Sequence, residues 1–206
     1  MNGNGAPGAG GQAGAPQARQ PGLWHAADCV SDTTTVGGVD AVATHHEFFE
    51  IQSDLLPTFH DVTERVKEIA SRSGITEGIA VVYSQHTTCS VIIQEESHDT
   101  TYHGTKYLLQ DLLDVLGALI PQCRKEGQYL HPGPEHIRYA VEDLGELPSW
   151  SLNTDAHLRS CLIGRSETIP VLQGELELGE FGHIYFVDFD SVRARKRVVR
   201  VQVVGE

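Results

Sequence analysis

The sequence has no long hydrophobic run, and this absence argues against a membrane-spanning protein. No apolar stretch approaches the roughly 20 residues that a membrane-spanning helix requires. Residues 1–22 consist mainly of Gly, Ala, Gln, Pro and Asn, without the apolar segment of a secretory signal. The four cysteines form no CxxC pair, which argues against zinc ribbons and small disulfide scaffolds. We therefore predict a cytoplasmic protein with reduced thiols and no membrane partner.

Several catalytic motifs are also missing. The sequence contains no GxxxxGK[ST], GxSxG or HExxH, so the common P-loop, serine hydrolase and zincin assignments do not apply. Positive charge is scarce, because the net charge is −13. Such an acidic chain argues against nucleic-acid binding. The exception is residues 193–206, with five Lys or Arg against one Glu. Alternation of these charges with valines favours a strand with one charged face over a phosphate-binding segment.

The composition predicts a tail followed by one domain. Residues 1–22 are low in complexity and have too few apolar groups to offset the entropy of ordering. We predict a disordered tail there, a partly ordered lead-in over residues 23–43, and a single domain over residues 44–206. In the chain as a whole, 40% of the residues are hydrophobic, which is enough for a substantial core.

The order of elements predicts an α+β fold. Apolar periodicity indicates two main helices, one ending at Gly74 and one over residues 100–120. An uncharged run over residues 78–84 predicts a strand buried on both faces, and residues 123–150 predict a loop before a short helix capped near Asn153 or Thr154. Strand signals dominate thereafter. Segregated strands and helices predict a largely antiparallel sheet or sandwich.

Histidines at the ends of predicted elements mark a possible site. His86 follows the uncharged strand, His131 lies in the loop, His157 lies in the first turn of the short helix, and His183 starts a later strand. Three neutral imidazoles from separate elements can bind a metal with an open position, and such a metal polarises a phosphoryl oxygen or generates hydroxide. The alternative is that these are ordinary surface histidines, because eleven histidines offer many triples.

An ordered set of motifs resembles the YjbQ family, also called the secondary thiamine-phosphate synthase family. The resemblance covers about residues 47–204 of this chain. The motifs that carry it are QHTTCS at 85–90, QEE at 94–96, YLH at 129–131, DAHLRS at 155–160, LIG at 162–164 and TIPV at 168–171.

The resemblance implies a homotrimeric α+β protein with a site built around His86, His131 and His157 as metal ligands. The implied metal is divalent, with Zn²⁺ as the expectation and Mg²⁺ as the alternative for a diphosphate substrate. Glu95 matches a family glutamate and Ser90 a small or hydroxyl position, and both are expected to be catalytic. The expected substrate-binding residues are Thr87, Thr88, Arg159, Arg165 and His183.

Three departures from the family pattern affect the expected substrate specificity. Gln94 stands where the family usually has Asn. Gly182 stands where it has Gln, so that His183 is a candidate to supply the missing polar contact. Residues 132–152 are also longer and richer in Pro and Gly than the short family loop.

These features lead to one main functional hypothesis and two alternatives. The first is a metal-dependent enzyme, either a transferase or a phosphate-ester hydrolase, that acts on a small phosphorylated molecule. The resemblance implies weak thiamine-phosphate synthesis, which joins a pyrimidine diphosphate to a thiazole phosphate. The alternatives are a non-catalytic trimeric protein that binds a metabolite or a metal, and a structural metal clip.

Overall fold

A computed structural model describes residues 42–206, which form two antiparallel sheets and four α-helices. The predictions for residues 1–41 lie outside the described part. The elements are β1 (Ala43–Gln52), β2 (Thr58–Asp61), α1 (Thr63–Ser73), β3 (Glu77–Ser84), β4 (Cys89–Glu95), α2 (Tyr107–Leu119), α3 (Pro134–Glu142), a 3₁₀ turn (Pro148–Ser151), α4 (Thr154–Ile163), β5 (Ser166–Leu172), β6 (Glu175–Leu176), β7 (Gly182–Asp188) and β8 (Lys196–Gly205). No helix among them is both long enough and apolar enough to cross a bilayer.

The eight strands divide between a five-stranded and a three-stranded sheet. The larger sheet has the order β1-β8-β3-β5-β6 and the smaller one β2-β7-β4, and every pairing is antiparallel. The predicted α+β class with antiparallel sheets is confirmed. The long final strand β8 lies between β1 and β3, so the C-terminal segment is central to the larger sheet.

The main core lies where the two sheets and α1 meet. Alternate residues of each strand point to one face, and valines and isoleucines from both sheets join one buried cluster with the apolar face of α1. This cluster includes Val66, Ile69, Val82, Val91, Phe186 and Val201. The other face of the smaller sheet packs against α2 and α4 through Leu116, Ala156 and Val187.

Burial of β3 differs from the prediction. Its residues alternate between buried and open positions, and Ile79 is 43% exposed. The prediction that this strand is buried on both faces is therefore wrong, because only one face of the larger sheet meets the core. Burial on both faces is found instead in the smaller sheet. Every residue of β7 from Ile184 to Asp188 is buried, and so are the first four residues of β4.

The helices differ from the prediction in two places. Residues 123–150 are not simply a loop, because they contain α3 and the 3₁₀ turn. A proline starts each of these elements. Pro134 and Pro148 occupy first-turn positions, where the backbone amide has no hydrogen-bond partner within the helix and its loss costs nothing. Helix α2 begins at Tyr107 rather than near residue 100, because Thr100 and Lys106 pair in an isolated bridge.

His60, a partly buried histidine outside the cavity described below, is expected to make stability depend on pH. Burial lowers the pKa of His60, whose ring lies 6.4 Å from the Phe186 ring. The unfolded chain then binds the extra proton first, so the free energy of unfolding is expected to fall as the pH drops below about 6.5. Melting temperatures between pH 7.5 and 5.5 test this. His86, His131 and His157 have lowered pKa values too, so His60→Leu should reduce the slope without abolishing it. His98→Leu, at an exposed position, should leave the slope unchanged, and equal slopes in all three proteins would contradict the assignment.

Candidate functional site

A cavity of about 350 Å³ lies where the ends of several elements meet. Its walls come from the turn between β3 and β4, the segment from α3 to the start of α4, and the residues that lead into β8. The volume is at the small end of the range typical of ligand pockets. The position explains the polar lining, because backbone leaves regular pairing at each of these ends and side chains there are free to converge.

Histidines form part of the cavity lining. His86 and His157, both predicted from the sequence, line the cavity together with His136, which the sequence analysis did not single out. The His131 ring lies beside them, with its centroid 5.9 Å from that of His157 and 4.5 Å from that of His136. The hydroxyl of Thr154 donates to the His131 carbonyl, which ties the loop to the start of α4. The structure thus brings the three predicted histidines into one region.

Arginines form another part of the lining. Arg193, Arg195 and Arg197 all line the cavity. Arg197 donates from Nε to Asp188 Oδ2 at 2.6 Å and from Nη2 to Asp188 Oδ1 at 3.0 Å. The Asp190 carboxylate lies 3.4 Å from Arg195 and 3.6 Å from Arg197. The two aspartates are fully buried and do not line the cavity, so they hold the guanidinium groups from behind.

The segment from α3 to the 3₁₀ turn covers the arginines. Arg193 forms an ion pair with Glu146, and its guanidinium lies 4.3 Å from the ring centroid of Trp150. Leu144 adds an apolar contact surface to the same wall. Sequence reasoning missed all of these residues. The available signals were the i, i+2, i+4 spacing of the arginines and the unusual length of the Pro- and Gly-rich segment.

Partial burial favours the neutral forms of His86, His131 and His157. It lowers the pKa of His86, and the nearby Arg197 lowers it further. Burial also lowers the pKa of His131, with the neighbouring His136 and His157 acting in the same direction. For His157, burial again lowers the pKa, although a hydrogen bond to the Thr87 backbone opposes this shift. Neutral imidazoles can accept a proton, which is the property of a general base.

The geometry of the histidines does not match the predicted metal site. No group of three or more His, Cys, Asp or Glu within residues 42–206 is arranged to hold a metal ion. In addition, Nε2 of His86 already accepts the amide hydrogen of Val198 at 2.9 Å. The imidazoles are suitable zinc ligands by type, but their arrangement here does not fit a metal. The metal remains a prediction from the resemblance.

The remaining predicted site residues lie in different places. Thr87 and Thr88 line the cavity, and the Thr88 hydroxyl accepts a hydrogen bond from Arg197 at 3.0 Å. Ser90 is buried in β4, with Oγ 3.5 Å from the Ser160 carbonyl. Glu95 ends β4, six residues and roughly 20 Å along the strand from Cys89. Within one copy of the described chain, neither Ser90 nor Glu95 lines the cavity.

The other three predicted substrate contacts are also outside the cavity lining. Arg159 is buried, pairs with Asp155 at 3.4 Å and donates to the Ile120 carbonyl at 2.8 Å. Arg165 stacks over the Tyr83 ring at 6.0 Å. His183 binds Asp61 at 2.7 Å at the start of β7, the end of that strand far from Asp188. These three side chains hold local structure and do not line the cavity. Their predicted role as substrate contacts therefore has no support from the cavity geometry.

Fold and cavity together define an α+β protein with a small site lined by imidazole and guanidinium groups. Residues 47–206 match the family described as UPF0047 protein YjbQ-like. The chain therefore belongs to the UPF0047/YjbQ family.

Relatives and solved structures agree with this assignment. A UPF0047 protein from Methanothermobacter thermautotrophicus is 31% identical over 71% of this chain and 82% of its own length. A YjbQ/UPF0047 protein from Clostridium acetobutylicum, described as uncharacterised, has a crystal structure with a TM-score of 0.57 and 30% identity, covering 76% of this chain and 98% of that one. A protein of unknown function from Sulfolobus solfataricus supports the fold, with a TM-score of 0.60, 21% identity and coverage of 80% and 99%.

Proposed function

We propose that the protein is an enzyme that acts on a small phosphorylated substrate. The observation that supports this most directly is the shared cavity, whose lining includes His86, His136 and His157 together with Arg193, Arg195 and Arg197. Guanidinium groups bind phosphoryl oxygens in two-point contacts. They also stabilise the charge that develops on a phosphoryl group during transfer.

The neutral histidines would supply the proton transfer. A phosphoryl transfer needs a group that accepts a proton from the attacking hydroxyl or water. His157 suits this role because burial lowers its pKa and its ring lies in the cavity wall. Transfer to an organic acceptor and hydrolysis by water both fit this arrangement. Weak thiamine-phosphate synthesis, implied by the family resemblance, is included in the proposal as a different kind of transfer. In that reaction the thiazole nitrogen displaces diphosphate from the pyrimidine methylene carbon, so the arginines would stabilise the departing diphosphate and no proton acceptor is required.

A substrate screen separates this function from simple binding. The full-length protein would be incubated with a panel of small phosphomonoesters and diphosphates, each with and without an organic acceptor. We expect release of phosphate or pyrophosphate, or a coupled product by mass spectrometry, for at least one compound that also raises the melting temperature. A compound that raises the melting temperature but is never converted would favour the alternative, a non-catalytic trimeric protein that binds a metabolite or a metal.

The predicted metal has a direct test. Elemental analysis of protein purified without chelator, compared with His131→Ala, would measure zinc per chain. Stoichiometric zinc that is lost in the variant would support the prediction, and metal-free protein with full turnover would contradict it. If metal loss collapses stability rather than turnover, the structural metal clip is the better account. The homotrimer implied by the resemblance also stays a prediction, which sedimentation equilibrium tests.

A further inference from the structure

We propose that the phosphoryl group binds in a subsite formed by Arg193, Arg195 and the Nδ1–H group of His86. This inference rests on the proposed function and specifies which atoms hold the phosphate. It assigns the phosphate to arginines just before β8 instead of Arg159 and Arg165, which the sequence analysis favoured. It also gives His86 the role of a hydrogen-bond donor instead of a metal ligand.

The role of His86 follows from the partner of its other nitrogen. A neutral imidazole carries one hydrogen, so one ring nitrogen donates and the other accepts. The amide of Val198 donates to Nε2 of His86 at 2.9 Å. The hydrogen of the ring must therefore be on Nδ1, which cannot then bind a metal. Within residues 42–206 no side-chain hydrogen bond reaches Nδ1, and His86 lies in the cavity wall, so this donor is available to a ligand oxygen.

Arg193 and Arg195, which line the same cavity as His86, also retain unused donors. The Nε atoms of Arg193 and Arg195 are buried and lack hydrogen-bond partners among residues 42–206. Buried donors normally have partners, so these two atoms require an explanation. A bound oxyanion is a suitable partner, because it would accept hydrogen bonds from each Nε–H and from the guanidinium hydrogens that the carboxylates leave free. Nη2 of Arg193 pairs with Glu146, and Nη2 of Arg195 lies 3.4 Å from Asp190.

The distribution of charge favours an anion. Asp188 and Asp190 stand behind the arginines, outside the cavity lining, and offset the desolvation of the guanidinium groups. The cavity wall itself then presents three guanidinium groups against one carboxylate, Glu146. A phosphate dianion provides three terminal oxygens for donors on several sides. It would compete with Glu146 for Arg193, whereas the buried Asp190 would continue to position Arg195.

Calorimetric titration with inorganic phosphate tests the subsite. The full-length protein would be compared with Arg193→Gln, Arg195→Gln and a matched control, Arg138→Gln, which removes an exposed arginine of α3. We expect each cavity variant to weaken phosphate binding at least about tenfold, because a hydrogen bond to a charged group contributes that much. The control should bind like wild type. Should Arg195→Gln fail to fold, Arg195→Lys keeps the charge, removes the two-point geometry and is expected to weaken binding severalfold.

A pair of His86 variants tests the donor. The amide of glutamine overlays Nε2, so His86→Gln keeps an acceptor for Val198 but removes the donor at Nδ1. The amide of asparagine overlays Nδ1, so His86→Asn keeps a donor there and loses the bond to Val198. We expect His86→Gln to bind phosphate about tenfold more weakly than wild type, and His86→Asn to bind more tightly than His86→Gln.

Three outcomes would overturn the inference without removing the proposed function. The first is wild-type phosphate binding in the arginine and His86→Gln variants while His157→Ala loses turnover. The second is loss of binding in Arg165→Gln but not in Arg195→Gln, which would return the contact to Arg165. Absence of phosphate binding to the wild-type protein at millimolar concentration would also overturn the subsite. The proposed function fails separately, if the substrate screen finds no conversion.

Discussion

Replacing Arg197 by methionine is expected to lower the free energy of unfolding by about 3–5 kcal/mol. The Asp188 carboxylate is 1% exposed and receives two hydrogen bonds from Arg197, at 2.6 and 3.0 Å. Removal of the guanidinium leaves that charge buried without a cationic partner at hydrogen-bond distance, and only neutral donors remain, such as the Thr88 hydroxyl at 3.3 Å and the Asp190 amide at 3.1 Å. Urea denaturation of the two proteins measures the difference.

Two further variants show whether the loss of stability comes from the unpaired Asp188 carboxylate. Lys196→Met changes the neighbouring residue, whose side chain is 73% exposed and paired with Glu50, and should alter stability by less than about 1 kcal/mol. Adding Asp188→Leu to Arg197→Met removes the unpaired carboxylate and should recover much of the loss. A loss below about 1 kcal/mol for Arg197→Met alone would show that this ion pair does not anchor the cavity wall.

The local chemistry of the sequence accounts for most of the elements. Helix α1 follows from apolar spacing and ends at Gly74, whose φ of 70° is favourable for glycine. The C-terminal strand β8 follows from alternating valines, and this prediction is confirmed over Lys196–Gly205. Such patterns depend on neighbours within a few residues, so a single sequence contains the information. Burial of β3 was predicted incorrectly because its exposed face depends on which sheet faces meet.

The candidate site was only partly predictable, because many of its contacts join residues that are far apart in the sequence. Motifs identified His86, His131 and His157, which the fold brings into one region. The alternation of arginines with valines indicated a charged strand face, but it could not show that Arg193 meets Trp150 and Glu146. Those contacts join residues more than 40 positions apart. The α3 segment was interpreted as a loop because its prolines resemble breakers, although they mark element starts.

Substitution of His157 by alanine is expected to reduce kcat/KM for a phosphorylated substrate by about 10²–10⁴-fold, the typical contribution of a positioned acid or base. His157 lies at the start of α4 in the cavity wall, so the methyl group of alanine keeps the helix but removes the proton acceptor. Steady-state kinetics with the substrate found in the screen would measure the effect. His98→Ala, at an exposed position outside the cavity lining, serves as the control and should retain full activity.

The melting temperature separates a chemical role of His157 from a structural one. A general base contributes to the transition state, so the His157→Ala variant should keep its fold and its affinity for phosphate while it loses turnover. Equal loss of melting temperature and activity would indicate that the imidazole supports the fold through its hydrogen bond to the Thr87 backbone. Full activity in His157→Ala would instead remove His157 from the reaction, and His136, which lines the same cavity, would then be the next imidazole to substitute.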